Sequence, residues 1–222
     1  MNTRQRFTLA GLLVVASALA SLLAAPEVPD PMVSHWNAAG EPDGTLGKPL
    51  GLALIPVLTA GLVALFALLP RIDPLGENVA EFRAVYDWFV VVFTAFMVVV
   101  HGGVLAFNLG YEFDFLLVVL AAMAVLFYYV GYMLDHAERN WFVGIRTPWT
   151  MSSERVWDRT HRLGARLFKA AAGVSLVGLL FADLAIYFLV VPVVLVSLAL
   201  VVYSYLVYER LEEADRSPGD LG

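Results

Sequence analysis

Few residues in this chain are equipped for chemistry, and they fall into two clusters. The first is His161, with Asp158 one helical turn before it and Glu154 a further turn back. On a helix that spacing brings an imidazole and a carboxylate within reach of each other. The second is His35, followed by Glu41 and Asp43 in a Pro- and Gly-rich stretch. Such groups could move protons, but that accelerates a reaction only beside a nucleophile or a positioned substrate. The chain has no Cys, which removes thiolate catalysis, disulfides and Cys-ligated metals. One His among scattered carboxylates also lacks the ligand spacing of a zinc site. The expectation is a protein that is not an enzyme and uses no metal and no cofactor. A membrane-bound enzyme stays as an alternative.

A third stretch is more specific than either pair. Between Asp135 and Lys169 lies a polar island holding seven of the fourteen cationic residues, and it contains Asn140-Trp-Phe-Val-Gly-Ile-Arg-Thr-Pro-Trp-Thr150. Gly144 permits close backbone approach, and Pro148 holds Thr147 extended. Arg146 brings five donors, enough to clamp carbonyls or a carboxylate. Beyond it the pattern is helical, with Ser152 or Ser153 as N-cap and Glu154 in the first turn, where a negative charge suits the dipole. At 100° per residue, Arg155, Arg159, Arg162, Arg166 and Lys169 share an arc of about 80°, while Trp157, His161, Gly164 and Phe168 share about 60° opposite. The stripe has two readings. It lies against anionic lipid headgroups, each cation contributing about 1 kcal/mol there, or it docks a cytoplasmic protein. Direct nucleic-acid binding is disfavoured, because a short stripe is no groove-reading module.

The stretch Pro26–Pro49 also has two readings. Asn37-Ala-Ala-Gly40 and Glu41-Pro-Asp-Gly44 both carry turn signals, with His35 and Trp36 just before them. One reading is a compact cap whose Trp36 anchors at the headgroups, as interfacial Trp often does. The other is a site for an extracellular peptide or ion built from His35, Trp36, Asn37, Gly40, Glu41 and Asp43.

These segments are positioned by apolar runs. The chain is 60% hydrophobic and 15% charged, against roughly 45–50% and about 25% in soluble domains. The pattern gives an all-α polytopic membrane protein: a six-helix transmembrane bundle with an amphipathic interfacial helix. The expected spans are 7–25, 50–69, 87–107, 115–134, 167–182 and 184–208. The last two follow from length. A single helix over residues 170–208 would reach ~58 Å, against a hydrocarbon core of ~30 Å, so a turn near Asp183 fits better and Pro192 would then kink the last helix. With both termini cytoplasmic, thirteen of the fourteen Lys and Arg lie inside and Lys48 alone outside, as the positive-inside rule requires. The first span resembles a signal peptide at Ala18-Leu-Ala20, but its apolar stretch continues to Ala25, long enough for an uncleaved helix. His101 is the one ionisable residue well inside a span, and reads as a neutral imidazole bonded to a neighbouring helix. A transporter or channel is the alternative function, disfavoured because no broken-helix pair or buried carboxylate is evident.

Pro29-x-Pro31, His35-Trp-Asn37, Gly40-Glu-Pro-Asp-Gly44 and Lys48-Pro49 resemble a domain of unknown function that often precedes SdpI-type modules. The island, with Asn140, Gly144, Arg146, Thr147, Trp149, Thr150, Trp157 and His161 at its matching positions, resembles the signature of the SdpI immunity-protein family. The resemblance implies a multi-pass protein of the plasma membrane. It implies resistance to a secreted peptide toxin outside and capture of a cytoplasmic autorepressor inside, the lipid bilayer being the third partner. The three segments are then 1–70 (two helices and the outer cap loop), 71–134 (spans three and four) and 135–222 (the SdpI-like module). The sequence sets no oligomeric state.

Overall fold

The computed structural model describes residues 1–216; the last six residues of the segment expected over 135–222 lie outside the described residues. Helix α1 (Thr3–Ala24) starts at a capping box in which Asn2 and Gln5 satisfy each other's backbone N–H groups at 2.9 Å. It leads to a hairpin, β1 (Met32–Trp36) and β2 (Pro42–Leu46), then α2 (Lys48–Ile72), the short α3 (Gly76–Glu81), α4 (Arg83–Asn108) and α5 (Phe115–Leu134). After the island loop come the single-turn α6 (Pro148–Ser152), α7 (Glu154–Gly178), a 3-10 turn at Ala182–Leu184 and α8 (Ala185–Arg216).

The molecule is mostly helical, and among the described residues five helical segments are long and apolar enough to cross a membrane: α1, α2, α4, α5 and Ala182–Asp215. α7 is not among them. It runs unbroken from its N-cap, Ser153, into the stretch expected to be span five. The reversal expected near Asp183 is present as the 3-10 turn, and α8 passes through Pro192 without a break.

The hairpin departs from the all-helical expectation. Of the two expected turns only the first forms, while Glu41-Pro-Asp-Gly44 runs mostly into β2. The reason is local. Pro42 opens a two-stranded ribbon, where a missing N–H is tolerated. Gly44 lies opposite His35, and a Cβ there would stand 2.9 Å from the His35 Cβ.

Packing follows chain order. α1 lies on α2 and α4, α4 on α5, α5 on α7, and α7 antiparallel on α8. At the end of the bundle that carries the island loop, Val79, Phe82, Tyr86, Val90, Val91 and Ala137 form one core with Ala10. Phe127, Ala171, Ala172, Val196 and Leu200 form another between α5, α7 and α8. Gly131 lets α5 approach α7 closely, since a Cβ there would lie 2.7 Å from the Ala165 carbonyl oxygen. Asp87, read from sequence as a residue at a span's end, is fully buried. Arg83 Nε donates to it at 2.7 Å, and Arg6 of α1 lies 3.6 Å away. His101 is buried too, with Nε2 at 2.7 Å from Ser21 Oγ of α1. Because that hydroxyl donates onward to the Leu52 carbonyl at 2.8 Å, the imidazole carries its proton on Nε2.

Candidate functional site

Two ordered loops sit at opposite ends of the bundle. At the first, the hairpin is held down rather than draped. Asn108, the last residue of α4, accepts from Val33 N at 2.8 Å and donates to Val33 O at 2.9 Å. Lys48 Nζ donates to Val28 O at 2.8 Å, and Met32 is fully buried against Gly51. Neighbouring strand residues face opposite ways, so His35 and Trp36 part company. His35 is exposed with Nδ1 at 2.5 Å from Asp43 Oδ1. Trp36 turns inward, stacked on Phe115 with ring centroids 4.1 Å apart and edge-on to Phe107 at 5.2 Å. It therefore packs on the ends of α4 and α5. Asn37 builds the turn, accepting from Ala39 N at 2.8 Å and Glu41 N at 3.1 Å while donating to Glu41 Oε2 at 3.2 Å. Gly40 supplies the positive φ of 79° that closes it. All six expected residues thus share one hairpin. Beneath it Trp36, Val100, Val104, Phe115 and Val119 line a mainly apolar cavity of about 450 Å³, and the Trp36 Nε1–H is buried with no partner among the described residues.

At the other end, the island residues fold onto one another. Asn140 is fully buried. It donates to Glu138 O at 2.8 Å and Val143 O at 2.9 Å, and accepts from Phe142 N at 2.9 Å and Val143 N at 2.6 Å. Gly144, with φ of 114°, brings the backbone so close to α7 that a Cβ would collide with His161 Nε2. His161 then accepts from Ile145 N at 3.0 Å and donates from Nδ1 to Trp157 O at 2.9 Å, which fixes its tautomer. Trp157 stacks on that imidazole at 3.9 Å and donates to Ala137 O at 2.7 Å. Burial pushes the His161 pKa down from 6.5 to about 4, against a smaller upward pull from the Trp157 carbonyl. Thr147 and Thr150 form the capping box of α6; Thr147 also donates to Ser204 of α8 at 3.1 Å, and Trp149 packs on Tyr205.

Of the eight expected island positions, Asn140, Thr147, Thr150, Trp157 and His161 are buried structural members. Arg146 is exposed, donating to the Trp141 carbonyl, and Trp141 and Phe142 are exposed beside it. With both nitrogens of His161 engaged, neither is free to exchange a proton with the exposed Asp158. A polar cavity of about 290 Å³ does open on that side, lined by Asp135, Glu138, Glu154, Asp158 and Arg162. The Glu138 pKa is raised, chiefly by burial and then by Glu81, Asp158 and Glu154.

The basic stripe is divided. Arg155 pairs with Asp215 at 2.5 Å, and Lys169 pairs with Asp135. Arg159, Arg162 and Arg166 make no ion pair among the described residues.

Four contributors escape a sequence reading. Asp73 accepts from Leu75 N at 2.7 Å and Trp141 N at 3.0 Å, and Asn78 donates to Arg139 O at 2.7 Å, so the first ties the island to the end of α2 and the second to α3. Asp73 before Pro74 does carry an Asx-turn signal. Asn108, ahead of Gly110, reads as an ordinary helix end, and Ser204 carries no signal.

This fold and these two loops define a polytopic helical membrane protein. The model of the SdpI/YfhL protein family matches residues 136–205, and that of the domain of unknown function DUF1648 matches residues 12–60. The chain is similar to the Immunity protein SdpI of Bacillus subtilis (strain 168), at 25% identity over 203 residues, covering 90% of this chain and 94% of that protein. No solved structure matches it.

Proposed function

We propose that this protein is an integral-membrane immunity and sensing protein. Its hairpin cap engages a secreted peptide toxin, and its island loop captures a cytoplasmic regulator. The observation that carries the reading is the cap itself: a clamped hairpin over an apolar cavity, with one unpaired indole donor inside and an exposed His35–Asp43 pair above. An apolar peptide segment offering one carbonyl would satisfy that donor, and burying an unpaired donor otherwise costs about 1–3 kcal/mol. On the inner face, Arg146, Trp141 and Phe142 are the groups free to meet a partner, while the buried island residues hold them in place.

In this reading both termini are cytoplasmic, and the apolar half of α7 from Leu167 onward makes a sixth crossing with α8. The charged half of α7 lies at the inner headgroups. Residues 1–70, 71–134 and 135–222 then act as receptor element, linking helices and output module. Likeness to an immunity protein supports the toxin branch.

The test is to delete the gene, challenge the cells with supernatant of toxin-producing neighbours, and restore wild type, His35→Ala or Arg146→Ala. The deletion should sensitise the cells. His35→Ala should fail to protect, while Arg146→Ala should protect but lose regulation of neighbouring genes. Equal survival and equal transcription with and without the gene would remove the proposal. Reporter fusions at residues 40 and 145 should report opposite compartments.

A further inference from the structure

We infer that Arg159, Arg162 and Arg166 of α7, together with Tyr203 of α8, form a defined site for the phosphate of an anionic phospholipid headgroup. Its assignment to the inner leaflet rests on the cytoplasmic placement proposed above; the chemistry of the site does not.

The starting point is the uneven neutralisation of the stripe. Its two end members are discharged by carboxylates, Arg155 by Asp215 and Lys169 by Asp135. The three middle members are not, and residues 159, 162 and 166 recur within about 60° on a helix. They do not point into featureless solvent. With Leu163 and Tyr203 they line an open cavity of about 400 Å³ in the groove between α7 and α8, and among the described residues no carboxylate lines it. The acidic residues gather instead in the separate cavity around Glu138, which of the three arginines involves Arg162 alone. Arg162 Nε is turned to the Asp158 carbonyl at 3.3 Å, which leaves its terminal nitrogens available.

Three guanidiniums on one short face repel one another unless an anion sits among them. Guanidinium forks match phosphate oxygens two at a time, and a phenol adds a further donor. Depth selects a lipid over a solute. Tyr203 lies ~27 Å along α8 from Ala185 at 1.5 Å per residue, close to the ~30 Å thickness of the hydrocarbon core. Lys169 is paired with Asp135, which immediately follows α5, so Arg166 lies less than a turn from where that span ends. Arg166 and Tyr203 thus stand where phosphates of a bilayer stand, with Arg162 and Arg159 about one and two turns farther toward the aqueous side.

The experiment uses the purified full-length protein, stripped of lipid in detergent and titrated with phosphatidylglycerol or phosphatidylcholine, with retained lipid counted by native mass spectrometry. Wild type should retain phosphatidylglycerol at least tenfold better than phosphatidylcholine. The triple variant Arg159→Gln, Arg162→Gln, Arg166→Gln should lose that preference, Tyr203→Phe should weaken it several-fold, and Arg155→Gln should leave it unchanged. If the triple variant fails to fold by circular dichroism, Tyr203→Phe and the single substitutions decide. Equal retention of the two lipids, an undiminished preference in the variants, or an equal loss in Arg155→Gln would overturn the site. A second arm adds glycerol 3-phosphate: full displacement of the lipid by this soluble phosphate at equal concentration would overturn the lipid assignment in favour of a free anion. Preferential retention of a phosphopeptide over phosphatidylglycerol would likewise overturn it. Toxin resistance does not enter the readout, so the failure of either proposal leaves the other standing.

Discussion

Protonating His161 should open the island loop. Its Nε2 lone pair accepts the Ile145 N–H at 3.0 Å, and its Nδ1–H is spent on the Trp157 carbonyl. A proton on Nε2 would set two donors face to face beneath a stacked indole. In the closed loop the group titrates near pH 4, and in an opened loop near 6.5. Between those values the open form binds a proton that the closed form does not. The contribution is therefore complete above pH 6.5, declines as the pH falls from 6.5 to about 4, and is constant below. The gap corresponds to about 3 kcal/mol, or on the order of a hundredfold in the closed-to-open ratio. The assay is hydrogen exchange of the Ile145 amide in detergent-solubilised protein, corrected for intrinsic rate, from pH 7.5 to 4.5. Protection should fall steadily below pH 6.5. His161→Leu should show weak protection at every pH and no slope, because the acceptor and the titrating group leave together. Flat protection in the wild type across this range would refute the assignment of Nε2 as the acceptor that closes the loop.

The remaining expectations concern single contacts. Gly144→Ala combines a φ of 114° with a collision against His161 Nε2, and should cost about 1–3 kcal/mol, read as a lower Tm, with residues 140–150 exchanging faster. Asn108→Leu strands the Val33 N–H and C=O under the hairpin; the hairpin should become more susceptible to protease by about 1–3 kcal/mol of local stability, while the island loop keeps its protection.

How much of this is written in the sequence depends on the range of the interaction. Spans α1, α2, α4 and α5 were legible because an apolar run of ~20 residues has few alternatives. The reversal at Asp183 was legible from length alone. An N-cap at Ser152 or Ser153 was legible from the Ser-Glu pattern, which is local, and Ser153 takes it. The hairpin was not, because Pro42 and Gly44 read as turn residues until a partner strand explains them. Asn140, Thr150 and His161 stood out as a motif, but polar types in a loop suggest solvent. Their burial depends on Gly144 delivering the chain to α7. The division of the basic stripe depends on acids 34 and 60 residues away, a distance no helical wheel covers.

Helix α4 links the two loops physically. Its last residue, Asn108, grips β1. Tyr86 and Phe82, at its start, share a core with Ala137 and partly buried Val143 of the island. Ala137 in turn accepts the Trp157 indole that stacks on His161. Spatial continuity is not yet coupling: a ligand at the hairpin shifts the island only if it binds two bundle states unequally. A double-mutant cycle separates these cases. If α4 transmits, Asn108→Leu and His161→Leu combined should depart from the sum of their separate effects on island exchange by at least ~0.5 kcal/mol, the limit for independent sites. If the two effects simply add, α4 is a strut and the two loops act independently, and the proposed capture at the island would then need a signal that reaches the island without passing through the hairpin.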